Sequence, residues 1–198
     1  MPTSNRWEDH YSLKARAEKW LARSVYKLEE IDRKNGLFQS GERVLDLGCF
    51  PGSWSQYCIK RIGNSGSLIG IDLKKPERLA APNFRFIKAD LLSVDLERIR
   101  DEVGLRDIVI SDMAPNTSGN RISDTSRSME LAEKAFEISL AVLKNGGHFL
   151  CKIFEGDELY DFKKKTSGFF KRVRLIRPSA IRKGSREIYL LGLKFIHS

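Results

Sequence analysis

The stretch Val44-Leu45-Asp46-Leu47-Gly48-Cys49-Phe50-Pro51-Gly52-Ser53-Trp54-Ser55 decides the fold of this chain. An apolar strand runs into a tight glycine turn, and a helix is predicted to begin near Ser53. In open α/β sheets, such a turn lies outside the carboxyl end of the strand, where ligands bind. The phosphate-binding fingerprints G-x-G-x-x-G and G-x-x-x-x-G-K-S/T are both missing from this stretch. It therefore predicts either a ligand site of another kind or a purely structural strand-to-helix turn.

Outward from this turn, strands alternate with helices. Helices are predicted over residues 12–21, from Ser24 to a closing Gly36, and over Ser126–Lys144, where Asn145-Gly146-Gly147 would end the helix. The predicted strands are Arg43–Leu47, Ser67–Leu73, Asn83–Lys88, Arg106–Ser111, Gly147–Phe154, Lys171–Pro178 and Glu187–Phe195. Only a loop separates the last two strands, which predicts an antiparallel hairpin at one sheet edge.

This alternation predicts an α/β fold with a seven-stranded, mostly parallel sheet and helices on both faces. The four most apolar strands are short continuous runs, typical of parallel strands that are covered on both sides. Seven strands ending in an antiparallel hairpin distinguish a Rossmann-like class I methyltransferase sheet from the six-stranded dinucleotide-binding sheet. The 198 residues, 41% of them hydrophobic, suit a single domain.

Composition also limits where the protein works. No apolar run approaches the roughly 20 residues that cross a bilayer, and the N-terminus lacks an apolar signal core. The three cysteines, Cys49, Cys58 and Cys151, are too few for a disulfide framework and lack the CxxC spacing of a zinc site. We therefore expect a reduced, cytoplasmic location, no membrane partner and no bound metal.

Charge is distributed unevenly along the chain. The whole net charge of +9 lies in residues 161–198, which hold 11 basic and two acidic side chains. The first 160 residues hold 24 basic and 24 acidic side chains. Such asymmetry suits a face that binds a polyanion, because neutralised phosphates release counterions. The alternative is a solvated basic surface that keeps the protein soluble.

Acidic residues follow three successive predicted strands. Asp46 would repel a pyrophosphate but suits a cationic ligand, such as the amino group of a methionine moiety. Asp72 ends the second strand, where a carboxylate can accept both hydroxyls of a ribose. Asp90 follows the third strand and could accept a hydrogen bond from an adenine amino group. Each acid alone is as compatible with a helix N-cap or a loop.

Two lysines and two further acids form a second candidate constellation. Asp112 ends the fourth strand, and Lys152 lies in the apolar fifth strand, where burial is costly without a partner. A lysine that snorkels from a strand end is the alternative. Glu187 opens the last strand and Lys27 lies on the early helix. The sequence makes it possible, without proving it, that the four side chains converge.

The chain resembles the FtsJ-type family of ribosomal RNA 2′-O-ribose methyltransferases from about Arg23 to its C-terminus. The matching motifs are Arg-Ser-x-Tyr-Lys-Leu at 23–28, Asp-Leu-Gly…Pro-Gly-x-Trp-Ser at 46–55, Ser-Asp-Met-Ala-Pro-Asn at 111–116, Lys-Ile-Phe-Glu-Gly at 152–156 and Ser-Arg-Glu-Ile-Tyr at 185–189. The chain departs from the family pattern at Cys49-Phe50, where a small pair is usual, and at Ser53, where a glycine is usual. Phe50 is expected to narrow the methionine end of the pocket or to pack against its wall.

The resemblance implies S-adenosylmethionine as cofactor and a catalytic tetrad of Lys27, Asp112, Lys152 and Glu187. It implies cofactor contacts from Gly52, Trp54, Asp72, Asp90 and Asp112. Together with Asp46 and Gly48 of the glycine turn, these are the expected cofactor-binding residues. A ribose hydroxyl is a very weak acid and needs a base as it attacks the methyl group, a role we assign to Lys152. No metal is needed for this displacement.

The implied substrate is a uridine of 23S ribosomal RNA in the large ribosomal subunit, near the peptidyl-transferase centre. We expect residues 1–198 to form one domain that acts as a monomer. In it, residues 1–36 are expected to contact RNA and residues 37–198 to form the catalytic core. The candidate RNA contacts are Lys14, Arg16, Lys19, Arg23, Lys163, Lys164, Lys165, Lys171, Arg172, Arg174, Arg177, Arg182 and Lys183.

Three other functions stay open from the sequence. A transfer-RNA or messenger-cap 2′-O-methyltransferase would use the same tetrad. A non-catalytic RNA-binding module would have no need for Lys152 among acids. A nicotinamide dehydrogenase is disfavoured because G-x-G-x-x-G is missing.

Overall fold

The computed structural model describes residues 10–196, and in that range the chain forms six helices and seven strands. The helices are α1 (His10–Ala17), α2 (Val25–Asn35), α3 (Ser53–Ile62), α4 (Leu96–Val103), α5 (Arg121–Val142) and α6 (Leu159–Ser167). The strands are β1 (Arg43–Leu47), β2 (Ser67–Asp72), β3 (Phe84–Lys88), β4 (Arg106–Ser111), β5 (Leu143–Phe154), β6 (Phe170–Ile176) and β7 (Glu187–Phe195).

The seven strands form one sheet in the order β3-β2-β1-β4-β5-β7-β6. Strands β1 to β5 pair in parallel, whereas β7 is antiparallel to both β5 and β6. The predicted fold class is confirmed, and the hairpin does lie at one edge. Because β7 lies between β5 and β6 and runs antiparallel to β5, the first residues of β7 lie beside the carboxyl end of β5.

Each face of the sheet is covered by its own apolar cluster. Side chains of α4, α5 and α6 pack on one face, and side chains of α1, α2 and α3 pack on the other. Val25, Leu28 and Ile31 of α2 are buried in the second cluster. Helices α1 and α2 thus pack against the sheet; residues 1–9 of the predicted 1–36 segment lie outside the described range.

Glycines fix the two sharpest turns. Gly36 ends α2 in the left-handed conformation at φ +61°, as the sequence predicts. Gly48, at φ +74°, follows β1, and a Cβ there would collide with the side chain of Met113. The chain can therefore turn from β1 towards α3 only because no side chain projects from position 48.

Two predicted helices are shifted. The helix expected at 12–21 is His10–Ala17, because Lys19 adopts a left-handed conformation that ends it. The helix expected at Ser126–Lys144 begins at Arg121, since the Asn120 side chain caps the amides of Ile122 and Ser123.

The end of that helix was also predicted wrongly. Asn145-Gly146-Gly147 does not stop α5, which already ends at Val142, but lies inside β5. Strand β5 starts at Leu143, and its pairing with β4 is irregular between Arg106 and Ile108. The glycine pair thus belongs to a strand irregularity, where the extra residues are accommodated.

Candidate active site

The register of the sheet brings three of the four tetrad residues, Asp112, Lys152 and Glu187, close together at the carboxyl ends of β4 and β5. Asp112 directly follows Ser111, which pairs with Cys151, so that Asp112 lies beside Lys152. In the antiparallel pair, Lys152 is opposite Tyr189 and Phe154 is opposite Glu187. Alternate residues of a strand share a face, so Lys152 and Glu187 both point towards α2, which carries Lys27.

The tetrad consists of two ion pairs. Lys152 Nζ lies 3.1 Å from Asp112 Oδ1 and donates to the Asp112 carbonyl oxygen at 2.5 Å. Lys27 Nζ lies 2.6 Å from Glu187 Oε2. The two lysines are 5% and 8% exposed, so the snorkelling alternative for Lys152 is wrong. Burial of these ammonium groups is tolerated because each has a carboxylate partner.

Tyr189 links the two pairs and was not singled out as a site residue from the sequence. Its hydroxyl donates to Asp112 Oδ1 at 2.7 Å, and Lys27 Nζ lies 6.0 Å from the centre of its ring. Complete burial, followed by the nearby carboxylates, raises the pKa of Tyr189. The signal that would have found it is its spacing of two from Glu187, which places both on one face of a strand.

A groove of about 680 Å³ opens beside Asp112 along the carboxyl ends of β1, β2, β3 and β4. Four of the predicted cofactor residues line it: Gly48, Asp72, Asp90 and Asp112. Leu91, Leu92, Met113 and Leu131 also line it, and sequence reasoning missed all four. Asp112 therefore belongs both to the groove wall and to the pair with Lys152.

The acids of the groove are held by backbone amides. The two oxygens of Asp72 accept from Phe50 N and from Lys74 N, each at 2.9 Å. Asp90 Oδ1 accepts from Leu92 N at 3.1 Å. Each carboxylate oxygen has a further lone pair to offer a ligand. Phe50 is half exposed at the rim next to Asp72, with Lys74 Nζ 5.8 Å from its ring centre.

Three predicted cofactor residues are not brought to the groove wall. Asp46 is buried below the turn and accepts from the Ser55 hydroxyl at 2.6 Å, and burial raises its pKa to about 7. Gly52 lies against Leu21 and Pro76. Trp54 donates to the Ser24 carbonyl at 2.9 Å. In this structure, the side chains of Asp46 and Trp54 make internal contacts.

The basic C-terminal segment does not form one surface. Lys163, Lys164 and Lys165 lie on α6, which covers the face of α4 and α5. Arg174 instead bonds to Asn35 of α2 on the opposite face, at 3.1 Å. Residues 177–186, the loop between β6 and β7, also dock on α2, through Ser179 N and Glu30 at 2.7 Å. The structure thus divides these candidate RNA contacts between two faces.

The described part of the chain offers neither a metal site nor a membrane-spanning helix. Between residues 10 and 196, no three His, Cys, Asp or Glu side chains are grouped so that they could hold a metal ion. No helix in that range is long and apolar enough to cross a membrane. The three cysteines are free and buried.

The seven-stranded fold is that of a class I methyltransferase, and its acid-lined groove lies next to the Lys–Asp and Lys–Glu pairs. The FtsJ-like methyltransferase profile matches residues 20–195, and this chain belongs to that family. A protein of Bdellovibrio bacteriovorus, 47% identical, is named ribosomal RNA large subunit methyltransferase E; the alignment covers 93% of this chain and 95% of the relative. A Desulfosudis oleivorans protein of the same name is 42% identical over 96% of this chain and 93% of its own.

A solved structure gives the same picture. A ribosomal RNA methyltransferase from Plasmodium falciparum superposes with a TM-score of 0.79 at 28% identity, over 90% of this chain and all of that one. The protein is therefore an enzyme of the methyltransferase class with a Rossmann-like fold.

Proposed function

We propose that this enzyme transfers the methyl group of S-adenosylmethionine to a ribose 2′-hydroxyl of large-subunit ribosomal RNA, at a uridine. The observation that carries the proposal is the position of Asp112, which lines the groove and is also bonded to Lys152. One carboxylate thus joins the wall of a cofactor groove to a buried ammonium group. The names of the relatives support the choice of RNA.

The chemistry of the groove fits S-adenosylmethionine. When bound, the cofactor supplies a methyl group on a positively charged sulfur. Asp72, fixed by two amides, would accept the ribose hydroxyls of the cofactor, and Asp90 would accept from its adenine amino group. Gly48 lines the groove without a side chain, so a ligand can approach its backbone. Acidic walls also suit a ligand that carries net positive charge.

The residues of the tetrad then orient the RNA ribose and accept its proton. Once its ammonium group has released a proton to solvent, Lys152 Nζ takes the proton of the 2′-hydroxyl as the oxygen attacks, and its two remaining N–H bonds donate to Asp112 and its carbonyl, which hold that nitrogen in place. Tyr189 holds Asp112 from the other side. Lys27, paired with Glu187, contacts the incoming nucleotide. Holding the reacting groups in line supplies most of the rate, because the leaving group is already activated.

We extend the proposal to the setting of the reaction. The substrate is the large ribosomal subunit in the cytoplasm, and the enzyme acts on it as a monomer. A single domain of residues 1–198 carries out the reaction, and the segment 1–36 contacts the RNA.

The decisive test uses Lys152→Ala and large ribosomal subunits that lack their native 2′-O-methyl group. Wild type should transfer labelled methyl from S-adenosylmethionine to one ribose, and the variant should lose about 10²–10⁴-fold in kcat, the usual contribution of a general base. Cofactor affinity should be retained in the variant, since Lys152 is not among the groove-lining residues.

Two results would redirect the proposal. If wild type binds the cofactor tightly but leaves subunits unmodified, transfer RNA becomes the substrate to test. If wild type binds no S-adenosylmethionine, the enzyme assignment itself fails.

A further inference from the structure

A second cleft, of about 650 Å³, adjoins the groove that is proposed to hold the cofactor. The turn after β1, the loop between β2 and β3, and the end of β3 contribute to its lining. Phe50, Leu73 and Lys74 line both cavities and therefore lie between them. The tetrad residues and the groove acids lie outside this lining, so the chemistry proposed above leaves the cleft without a role.

The cleft has an excess of positive charge. Its lining holds one acid, Glu77, and four cations, Lys74, Lys75, Arg78 and Lys88, all of them on exposed residues. Between residues 10 and 196, none of these four cations forms an ion pair with a carboxylate. The balanced charge of residues 1–160 conceals this excess, because acids elsewhere offset it. Such a surface attracts a polyanion, since neutralised phosphates release counterions.

Exposed apolar side chains lie next to these cations. Phe50 is 50% exposed and Leu73 is 59% exposed, and Lys74 Nζ lies 5.8 Å from the centre of the Phe50 ring. A basic surface alone would suit any polyanion. An aromatic ring beside it adds a flat face on which a nucleobase can stack, the combination that binds single-stranded nucleic acids.

The loop that carries the cations is held against the turn that carries Phe50. Asp72 accepts from Phe50 N and from Lys74 N, each at 2.9 Å. Pro76 is buried, and a Cβ on Gly52 would lie only 3.1 Å from the Pro76 side chain. Because Gly52 has no side chain, the loop packs closely on the turn. The ring and the cations are therefore fixed relative to each other.

We propose that this cleft binds a single-stranded stretch of the substrate RNA, with one base stacked on Phe50 and the flanking phosphates at Lys75, Arg78 and Lys88. The proposal rests on the function given above, because it takes the substrate to be RNA. The cleft lies at the ends of β2 and β3, whereas Lys152 lies on β5, on the other side of β1 and β4. The cleft thus holds nucleotides other than the methylated one, and it affects RNA affinity rather than the chemical step.

Binding of an oligouridine of about ten nucleotides tests the cations without methyl transfer. Fluorescence anisotropy of the labelled RNA gives Kd for the full-length protein at several salt concentrations. Lys75→Gln/Arg78→Gln should raise Kd at least about fivefold and reduce the slope of log K against log salt by about 1.4, since each lost contact to a single strand removes about 0.7. Arg98→Gln/Arg100→Gln removes two charges from exposed positions on α4 and should change neither quantity.

Two substitutions of Phe50 test the stacked base. Phe50→Leu keeps an apolar side chain without a ring and should raise Kd for oligouridine at least about fivefold, whereas Phe50→Trp should not. Inorganic polyphosphate of equal charge has no bases, so its affinity should be unchanged in Phe50→Leu but weakened in Lys75→Gln/Arg78→Gln. If Phe50→Leu weakens S-adenosylmethionine binding and leaves oligouridine affinity unchanged, the ring belongs to the cofactor groove and the inference is overturned.

Kinetics with large ribosomal subunits separates this inference from the proposed function. In Lys75→Gln/Arg78→Gln, KM for subunits should rise at least about fivefold while kcat stays within about twofold. Normal KM and normal oligouridine affinity in this variant would overturn the cleft and leave the proposed function standing. If wild type leaves subunits unmodified but the cleft variants still lose affinity for oligouridine, the cleft stands and the choice of ribosomal RNA fails.

Discussion

Lys152 is the residue whose environment most constrains the site. An ammonium group on a side chain that is only 4% exposed is tolerable only with partners, and Asp112 supplies both a carboxylate and a carbonyl. Removal of Asp112 would leave this charge uncompensated, at a cost of about 3–5 kcal/mol. Loss of activity in Asp112→Ala would therefore mix folding with chemistry, whereas Lys152→Ala removes the buried charge itself.

Tyr189→Phe tests how Asp112 is held. The change removes one hydroxyl, so Asp112 Oδ1 loses its donor at 2.7 Å while the ring and its packing against Trp54 remain. We expect kcat for methyl transfer to fall about tenfold, equivalent to one hydrogen bond, with KM for RNA nearly unchanged. Steady-state kinetics checks this, and a rise in KM with full kcat would contradict the role of Tyr189 in orienting the base.

Asp46→Asn tests the buried acid under the glycine turn. The pKa of Asp46 in the folded protein is raised to about 7 by burial, above its value in the unfolded chain. The folded state therefore binds the proton more tightly, so stability is highest below about pH 4 for this group and falls as pH rises to about 7. Asparagine cannot ionise, and it keeps an acceptor for the Ser55 hydroxyl.

Urea unfolding at several pH values measures this difference. Relative to wild type, Asp46→Asn should gain stability between about pH 4 and pH 7, by at most about 4 kcal/mol, and the gain should stay constant above pH 7. Parallel pH profiles for the two proteins would show that Asp46 ionises normally in the fold.

Among the connecting elements, the segment between β4 and α5 is the one that closes the groove. Its residues Met113 to Asn116 line the groove wall. Asp124, in the first turn of α5, fastens it by accepting from Ser118 N, the Ser118 hydroxyl and Gly119 N at 2.8, 2.9 and 3.2 Å. These donors lower the pKa of Asp124. The position of the wall thus depends on one carboxylate of the following helix.

Asp124→Ala should loosen this wall. We expect affinity for S-adenosylmethionine to fall about three- to tenfold and protease cleavage in residues 113–120 to become faster, because three local hydrogen bonds are lost. Isothermal titration and limited proteolysis measure the two effects. Asp95→Ala removes the cap of α4 and is the matched control. It should lower stability by about 1 kcal/mol and leave cofactor affinity unchanged.

The elements differ in how well the sequence predicts them. Strand β7 begins at Glu187 and ends at Phe195 as predicted, because a short continuous apolar run that follows a polar loop predicts a buried strand with clear ends. Both predicted ends of helix α5 are wrong. Its start depends on an asparagine cap within a polar stretch, and its end depends on a strand irregularity that only pairing with β4 creates.

At the scale of the whole molecule, α1 and α2 are part of the core as well as candidates for RNA contact. Val25, Leu28 and Ile31 are at most 1% exposed, and burial of such side chains contributes about 1.5–3 kcal/mol each. The summed contribution of these three side chains is already comparable to the free energy of unfolding of an ordinary domain, about 5–15 kcal/mol. Removal of residues 1–36 therefore threatens the entire fold.

We expect a chain that starts at residue 37 to be insoluble or to unfold without a cooperative transition. Circular dichroism during thermal unfolding checks this. Lys19→Gln, which alters only an exposed side chain of the same segment, should fold normally and weaken RNA binding alone. A soluble, cooperatively unfolding fragment 37–198 with intact cofactor binding would show that the two segments are separable.

The sequence by itself determined the α/β class, the glycine turn and the acids at the strand ends, because these follow from local apolar patterns and backbone geometry. Only the tertiary structure decided which side chains meet. Strand register placed Lys152 beside Asp112, and the insertion of β7 brought Glu187 and Tyr189 to α2. Packing also turned Asp46 and Trp54 inward and joined Phe50 to Arg78 in one cleft. Such contacts depend on pairing and packing between residues far apart in the chain, which no local pattern encodes.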